Sequence, residues 1–203
     1  MRVVPPWALF SAALAPVLLI GGWTLADARQ PGGFDQVTGT ISALAARDAA
    51  DRWIMTVALL CLGLCHCVTA AGLRPLRPAG RLMLALGGVA TVAVAAFPLP
   101  AERGSSTAHG LAAAVAFGAL ALWPALAAGG HATGLSVVAG TACAALLLAL
   151  VGWFGGELVA GGPRIGLSER FAAGAQALCP LLVAVVLGGG RRAAAGSSGP
   201  DRG

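Results

Sequence analysis

Apolar residues dominate six stretches of the chain, near 6–26, 53–73, 81–98, 109–127, 134–154 and 170–189, with polar segments between them. Each is comparable to the roughly 20 helical residues (range about 17–25) that cross a bilayer's hydrocarbon core. None shows the period-two alternation of a barrel strand. The pattern therefore predicts helices, in which a spanning segment satisfies its own backbone. The expected fold is all-α: a polytopic membrane bundle of six transmembrane helices over residues 1–190. The Pro/Gly-rich "RRAAAGSSGPDRG", 191–203, is expected to form a disordered tail. Arg2 before the first run resembles a signal peptide. That run is longer than a usual signal core of about 7–15 residues and "GGWTLADARQ" is a poor cleavage site, so it is read as a retained helix.

The longest polar connection, about 27–52, contains Val37, Ile41, Leu44 and Ala45 at helical spacing, with Thr40, Arg47 and Asp51 on another face. This predicts a short amphipathic helix at the interface or over the bundle mouth, with Asp35 or Thr38 as its N-cap. Ser136, Gly140 and Ala144 lie four residues apart, the spacing at which helices approach closely in lipid, and Gly152 and Gly156 follow. Pro16, Pro124 and Pro180 fall inside spans and are expected to kink them. No internal repeat is visible, so an inverted-repeat transporter has little support.

Composition agrees with a membrane chain. It is 58% hydrophobic and 10% charged, whereas a soluble domain carries about 25% charged residues. All 13 cations are arginine, which excludes a lysine Schiff base and a Walker-type phosphate loop. The net charge of +5 is distributed between apolar runs and reads as membrane orientation, not nucleic-acid binding. Arg74, Arg77 and Arg81 in "LRPLRPAGR" and Arg191 and Arg192 in "GGGRR" cluster near predicted helix ends. With seven of the eight carboxylates on the opposite side, this predicts cytoplasmic N- and C-termini in a multi-pass cell-membrane protein.

Five motifs occur in order: "GTISALAARDAADRWIM" leading into the second helix, "GLCHCVTAAGLRP" within it, "FP" closing the third, "STAHG" opening the fourth and "GLSER" opening the sixth. Together they resemble the DUF998 family of bacterial integral membrane proteins, over about residues 5–190. The resemblance implies about six membrane helices and brings no established reaction. A more distant likeness, in helix count and in the polar first connection, is to the Frag1/DRAM/Sfk1 membrane proteins, linked to lipids and autophagy.

The cysteines, Cys61, Cys65, Cys67, Cys143 and Cys179, all fall within predicted spans and read as small packing residues. Cys65, His66 and Cys67 are consecutive, and neighbours on a helix point about 100° apart, so they cannot close around one metal. His66 lies 13 residues beyond Trp53, roughly 20 Å deep; His109 opens the fourth helix and His131 belongs to an opposite loop. No two histidines share a depth, so neither haem nor another metal or cofactor is expected. The intramembrane His66 is expected to make an interhelical hydrogen bond.

His109 follows Ser105, Ser106 and Thr107, any of which can cap the fourth helix. A neutral imidazole at a helix N-terminus can act as base, ligand or hydrogen-bond partner. His109, Asp35, Ser42 and Asp51 are therefore the catalytic candidates, with Glu102, Glu169 and Arg170 as further polar outer-face candidates; a solvated rim of ion pairs is the competing reading. His109 is expected to meet the first connection. In "GLSER", Ser168 is expected to cap the sixth helix and Glu169 to complement its dipole.

Three functions remain open. The first is a membrane protein that interacts with membrane lipid or a membrane-protein partner in the bacterial inner membrane. The second is an intramembrane, lipid-hydrolase-like enzyme with an extracytoplasmic His/Asp site. The third is a small-solute transporter, which requires a polar cavity near mid-membrane. Oligomeric state is not encoded in any pattern found.

Overall fold

The computed structural model describes residues 4–129 and 135–196, and of 189–196 the backbone alone. It contains α1 (Pro6–Asp27), α2 (Trp53–Gly72), α3 (Pro78–Ala96), α4 (Thr107–Ala127), α5 (Val137–Ala160) and α6 (Ile165–Gly196). Among the described residues, all six are long and apolar enough to cross a membrane. His131 lies outside the described residues, as does most of the predicted disordered tail, 197–203.

Local chemistry sets the helix starts. Proline occupies the first turn of α1 and α3, where its missing N–H costs nothing. Ser106 and Ser136 accept hydrogen bonds from His109 N (3.4 Å) and Ala139 N (3.1 Å), capping α4 and α5. At the end of α5, Gly161 takes the left-handed conformation (φ 62°) that closes a helix. Arg81 donates to the carbonyls of Ala70 (3.0 Å) and Ala71 (3.4 Å), satisfying the last turn of α2.

Consecutive helices pack side by side, and α6 closes the ring by meeting α1 as well as α5. One apolar core, with Leu73, Leu84, Trp123 and Leu187, fills the end that carries Arg74 and Arg77; a second, with Leu19, Leu44, Met55 and Leu62, fills the other end. Leu82, Val138 and Val159 are among many large apolar side chains exposed on the outside, a surface suited to lipid contact. α2 and α3 cross closely, backbone against backbone. A Cβ on Gly63 would lie 2.5 Å from Gly88 O, and one on Gly88 would lie 2.6 Å from Gly63 O. On α5 only the first half of the small-residue series packs this way: Gly140 abuts Pro124 and Ala128, while Gly152 and Gly156 face open space.

Three boundaries differ by five residues or more from those read in the sequence: α5 continues to Ala160 instead of 154, and α6 begins at Ile165 instead of 170 and runs to Gly196 instead of 189. Ser168 consequently lies inside α6 and donates to Ile165 O at 3.0 Å instead of capping the helix. The expected amphipathic helix reduces to one 3-10 turn, Ala43–Ala45, in a chain of turns. Ile41 and Leu44 are buried as its pattern required. The Ile41 N–H is satisfied by a distant side chain, described next, and Leu44 N by Ile41 O (3.1 Å) within the 3-10 turn.

Candidate functional site

The first connection, 28–52, folds over one end of the bundle and is fastened by local and distant partners. Asp35 accepts from Val37 N and from the Thr38 hydroxyl, both at 2.9 Å. These bonds hold its carboxyl below the usual carboxylate range. Thr40 Oγ1 then accepts from Ala43 N at 3.0 Å and starts the 3-10 turn. Gln30 braces the ends of the connection, donating to Ala26 O and Ala50 O, each at 2.9 Å. Arg47 N donates to Leu99 O (3.0 Å) and Glu102 N to Asp48 Oδ1 (3.0 Å), tying in the segment after α3.

Glu169 and Arg170, near the start of α6, make the distant fastening. Glu169 is 3% exposed. One of its oxygens accepts from Ile41 N, and the other from Ser42 Oγ at 3.1 Å. Arg170 Nη1 donates to Gln36 O (3.0 Å), Gly39 O (2.7 Å) and Gly166 O (3.0 Å). Its guanidinium also lies 5.8 Å from the ring centres of both Trp23 and Phe34, within cation–π range. Leu167 N donates to Val37 O at 3.1 Å. Gly166 abuts Gly39 and Gln36 so closely that a Cβ there would collide with their carbonyls. The two charged residues expected at a solvated rim are thus buried, and they hold the first connection in place.

Among the described residues, His109, Asp51 and Glu102 make no hydrogen bond or ion pair with them. His109 Nδ1 lies 2.9 Å from Phe97 O, the residue that ends α3. A carbonyl can only accept, so Nδ1 carries the proton there. The expected contact of His109 with the first connection is replaced by this link between α3 and α4. Asp51 pairs with Arg29 at 3.5 Å and accepts from Trp53 Nε1 at 3.2 Å. Both ions of that pair are exposed, so it contributes little stability. Asp35 and Glu102 are exposed.

Beneath the fastened connection is a cavity of about 60 Å³, running from Glu169 and Ser42 inward past Thr91 and Gln176 to His66. A cavity needs about 10–15 Å³ to hold one water. Its polar atoms sit among Leu59, Leu62, Val94 and Leu120. His66 is 1% exposed, and neither ring nitrogen has a hydrogen-bond partner. The interhelical hydrogen bond expected of it is therefore not made: the ring borders a cavity, where no neighbouring helix brings an acceptor within reach. Thr91 Oγ1 donates to Gly87 O at 2.8 Å and Gln176 Nε2 to Phe117 O at 2.8 Å. Sequence reasoning missed Thr91 and Gln176. The signal for Gln176 was available, since it is an amide in the middle of an apolar run.

Cys65, His66 and Cys67 diverge around α2 as expected, with Cys67 Sγ 3.6 Å from Ala85 O. No cluster of three or more His, Cys, Asp or Glu side chains is placed to hold a metal ion among the described residues.

The model of a family described as a protein of unknown function (DUF998) matches residues 13–186. No curated protein and no solved structure matches the chain.

Proposed function

The chain belongs to the DUF998 family, and from that premise we propose that it is an integral membrane protein that binds a small polar solute in the cavity between His66 and Glu169, as a small-solute transporter would. One observation carries this reading. A buried histidine with neither nitrogen partnered shares a cavity with Glu169, Thr91 and Gln176. Polar groups placed this way inside a membrane are costly, and an unpaired buried polar group costs about 1–3 kcal/mol. A solute that hydrogen-bonds to them offsets that cost.

The volume favours a small occupant. About 60 Å³ corresponds to roughly four to six water-sized positions, too little for a lipid. The hydrolase reading needs His109 beside Asp35, Ser42 or Asp51; its ring instead donates to Phe97 O, Ser42 hydrogen-bonds to Glu169 and Asp51 pairs with Arg29. The proposed orientation puts both termini in the cytoplasm and the first connection outside the cell membrane, supported by the arginines at 74, 77 and 81. Lipid is the surrounding solvent in this reading, not the ligand.

The test is thermal unfolding of the purified protein, followed by tryptophan fluorescence, with methylammonium, formamide or formate added. At least one of these should raise the melting temperature of the wild type, saturably, and have a much smaller effect on His66→Leu. If none stabilises the wild type, or His66→Leu responds equally, the reading fails.

A further inference from the structure

We propose that the cavity takes a small, donor-rich cation of the ammonium class, with Glu169 as its counter-charge. The proposal rests on the binding reading above and adds the ligand's chemistry to it. It follows from asking which hydrogens and lone pairs the cavity lining has left after its bonds within the protein are made.

The donors are largely committed. Ser42 gives its hydroxyl hydrogen to Glu169, Thr91 gives its own to Gly87 O, and Gln176 directs its amide nitrogen to Phe117 O. What remains is mostly acceptor: lone pairs on the two hydroxyl oxygens, Gln176 Oε1, the Glu169 carboxylate and one imidazole nitrogen of His66. The uncommitted donors are the second amide hydrogen of Gln176 and the imidazole N–H. A ligand that presents several N–H groups and no acceptor complements such a lining; a carboxylate or phosphate does not.

Charge points the same way. No arginine or lysine lines the cavity. Among the described residues Glu169 forms no ion pair; its two partners are a backbone N–H and a hydroxyl, both neutral. Arg170 follows it directly in sequence, but its Nη1 is committed to the carbonyls of 36, 39 and 166 and its face to Trp23 and Phe34. Glu169 is close enough to Arg170 to feel its charge, and shares it with Asp27 and Asp35. Arg170 thus faces the first connection, while Glu169 is the one charged group lining the cavity. Methylammonium, among the smallest of the class, suits the volume.

The same unfolding assay, with methylammonium chloride, formamide and sodium formate compared at equal ionic strength, separates the two levels of the argument. Methylammonium should stabilise the wild type saturably, and sodium chloride should not. Glu169→Gln should weaken this by about tenfold or more, the loss of one hydrogen bond to a charged group. Gln176→Leu, which lies away from the fastening of the first connection, should weaken it as well and decides the matter if Glu169→Gln does not fold. Stabilisation by formamide or formate but not methylammonium overturns the ligand class and leaves the binding reading standing. Undiminished methylammonium binding in both variants overturns the assignment of Glu169 and Gln176. Silence from all three probes removes the binding reading itself.

Discussion

Ser42 Oγ lies 3.1 Å from Glu169 Oε1, a hydrogen bond that spans 127 positions of sequence. With the neighbouring bond from Ile41 N to the same carboxylate, it makes one side chain on α6 the anchor of a connection that follows α1. Glu169→Ala should leave the buried Ile41 N–H unpaired and lower stability by about 1–3 kcal/mol. Glu169→Gln keeps a carbonyl oxygen for Ile41 and should lose less. Chemical or thermal unfolding in detergent measures both, and equal losses would show that the carboxylate is not the anchor.

Arg170 offers a second handle on the same fastening. Lysine keeps the charge but lacks the planar guanidinium that sits between Trp23 and Phe34 while serving several carbonyls. Arg29, Arg47 and Arg52 are exposed in the connection and give trypsin places to cut. Arg170→Lys should speed cleavage there severalfold, because cleavage of an opened segment follows the population of the open form. An unchanged digestion rate would mean that Arg170 does not hold the connection down.

The approach of α2 to α3 predicts a contrast between glycines. A methyl at Gly63 meets Gly88 O at 2.5 Å and Val92 Cγ2 at 2.8 Å, whereas one at Gly118 meets nothing within 4 Å. Gly63→Ala should destabilise by about 1–3 kcal/mol, the usual cost of overpacking. Gly118→Ala should stay within about 0.5 kcal/mol of wild type. Melting temperatures that fall equally would argue against the close crossing.

Cys143 on α5 and Cys179 on α6 have their sulfur atoms 3.2 Å apart. Copper–phenanthroline in air should join them into an intramolecular disulfide, with two fewer thiols alkylated after unfolding. Cys143→Ser should abolish that loss. A wild-type chain that keeps all five cysteines alkylatable would refute the juxtaposition.

The proposed orientation is checked with reporter fusions. A reporter after Arg77 should register the cytoplasm, and one after Glu102 the exterior. The reverse pattern would invert the bundle and place the fastened connection on the inner face.

The spans were legible because lipid imposes a length and a composition that a local window of sequence can register. The fastened end was not, for a physical reason. Glu169 and Arg170 read as interfacial charges because, Gly166 O apart, their partners are distant in sequence; Gly39, Ile41 and Ser42 lie 127 to 131 positions away. The same partners let α6 begin at Ile165 with these charges already buried. In the first connection, periodicity identified Ile41 and Leu44 as buried but implied a helix, because it cannot tell whether a backbone N–H will be met by a carbonyl four residues back or by a distant carboxylate. His109 was recognised from its place at a helix start, yet its partner is the carbonyl that ends the preceding helix. His66 was recognised as a polar residue inside an apolar run; that it borders a cavity depends on side chains from α1, α3, α4 and α6, which no local pattern brings together.

The link between Ile41 and Glu169 also sets an order of events during synthesis. The two residues are 128 positions apart, and chains elongate at about 5–20 residues per second, so roughly 6–25 s separate their appearance. Throughout that interval α1 and α2 exist while the group that fastens their connection does not. The cap over this end of the bundle is therefore a late product of assembly, completed only when the last helix arrives. Chains truncated before residue 165 should reach the membrane with that connection open, and protease accessibility of the first connection becomes a clock for the insertion of α6.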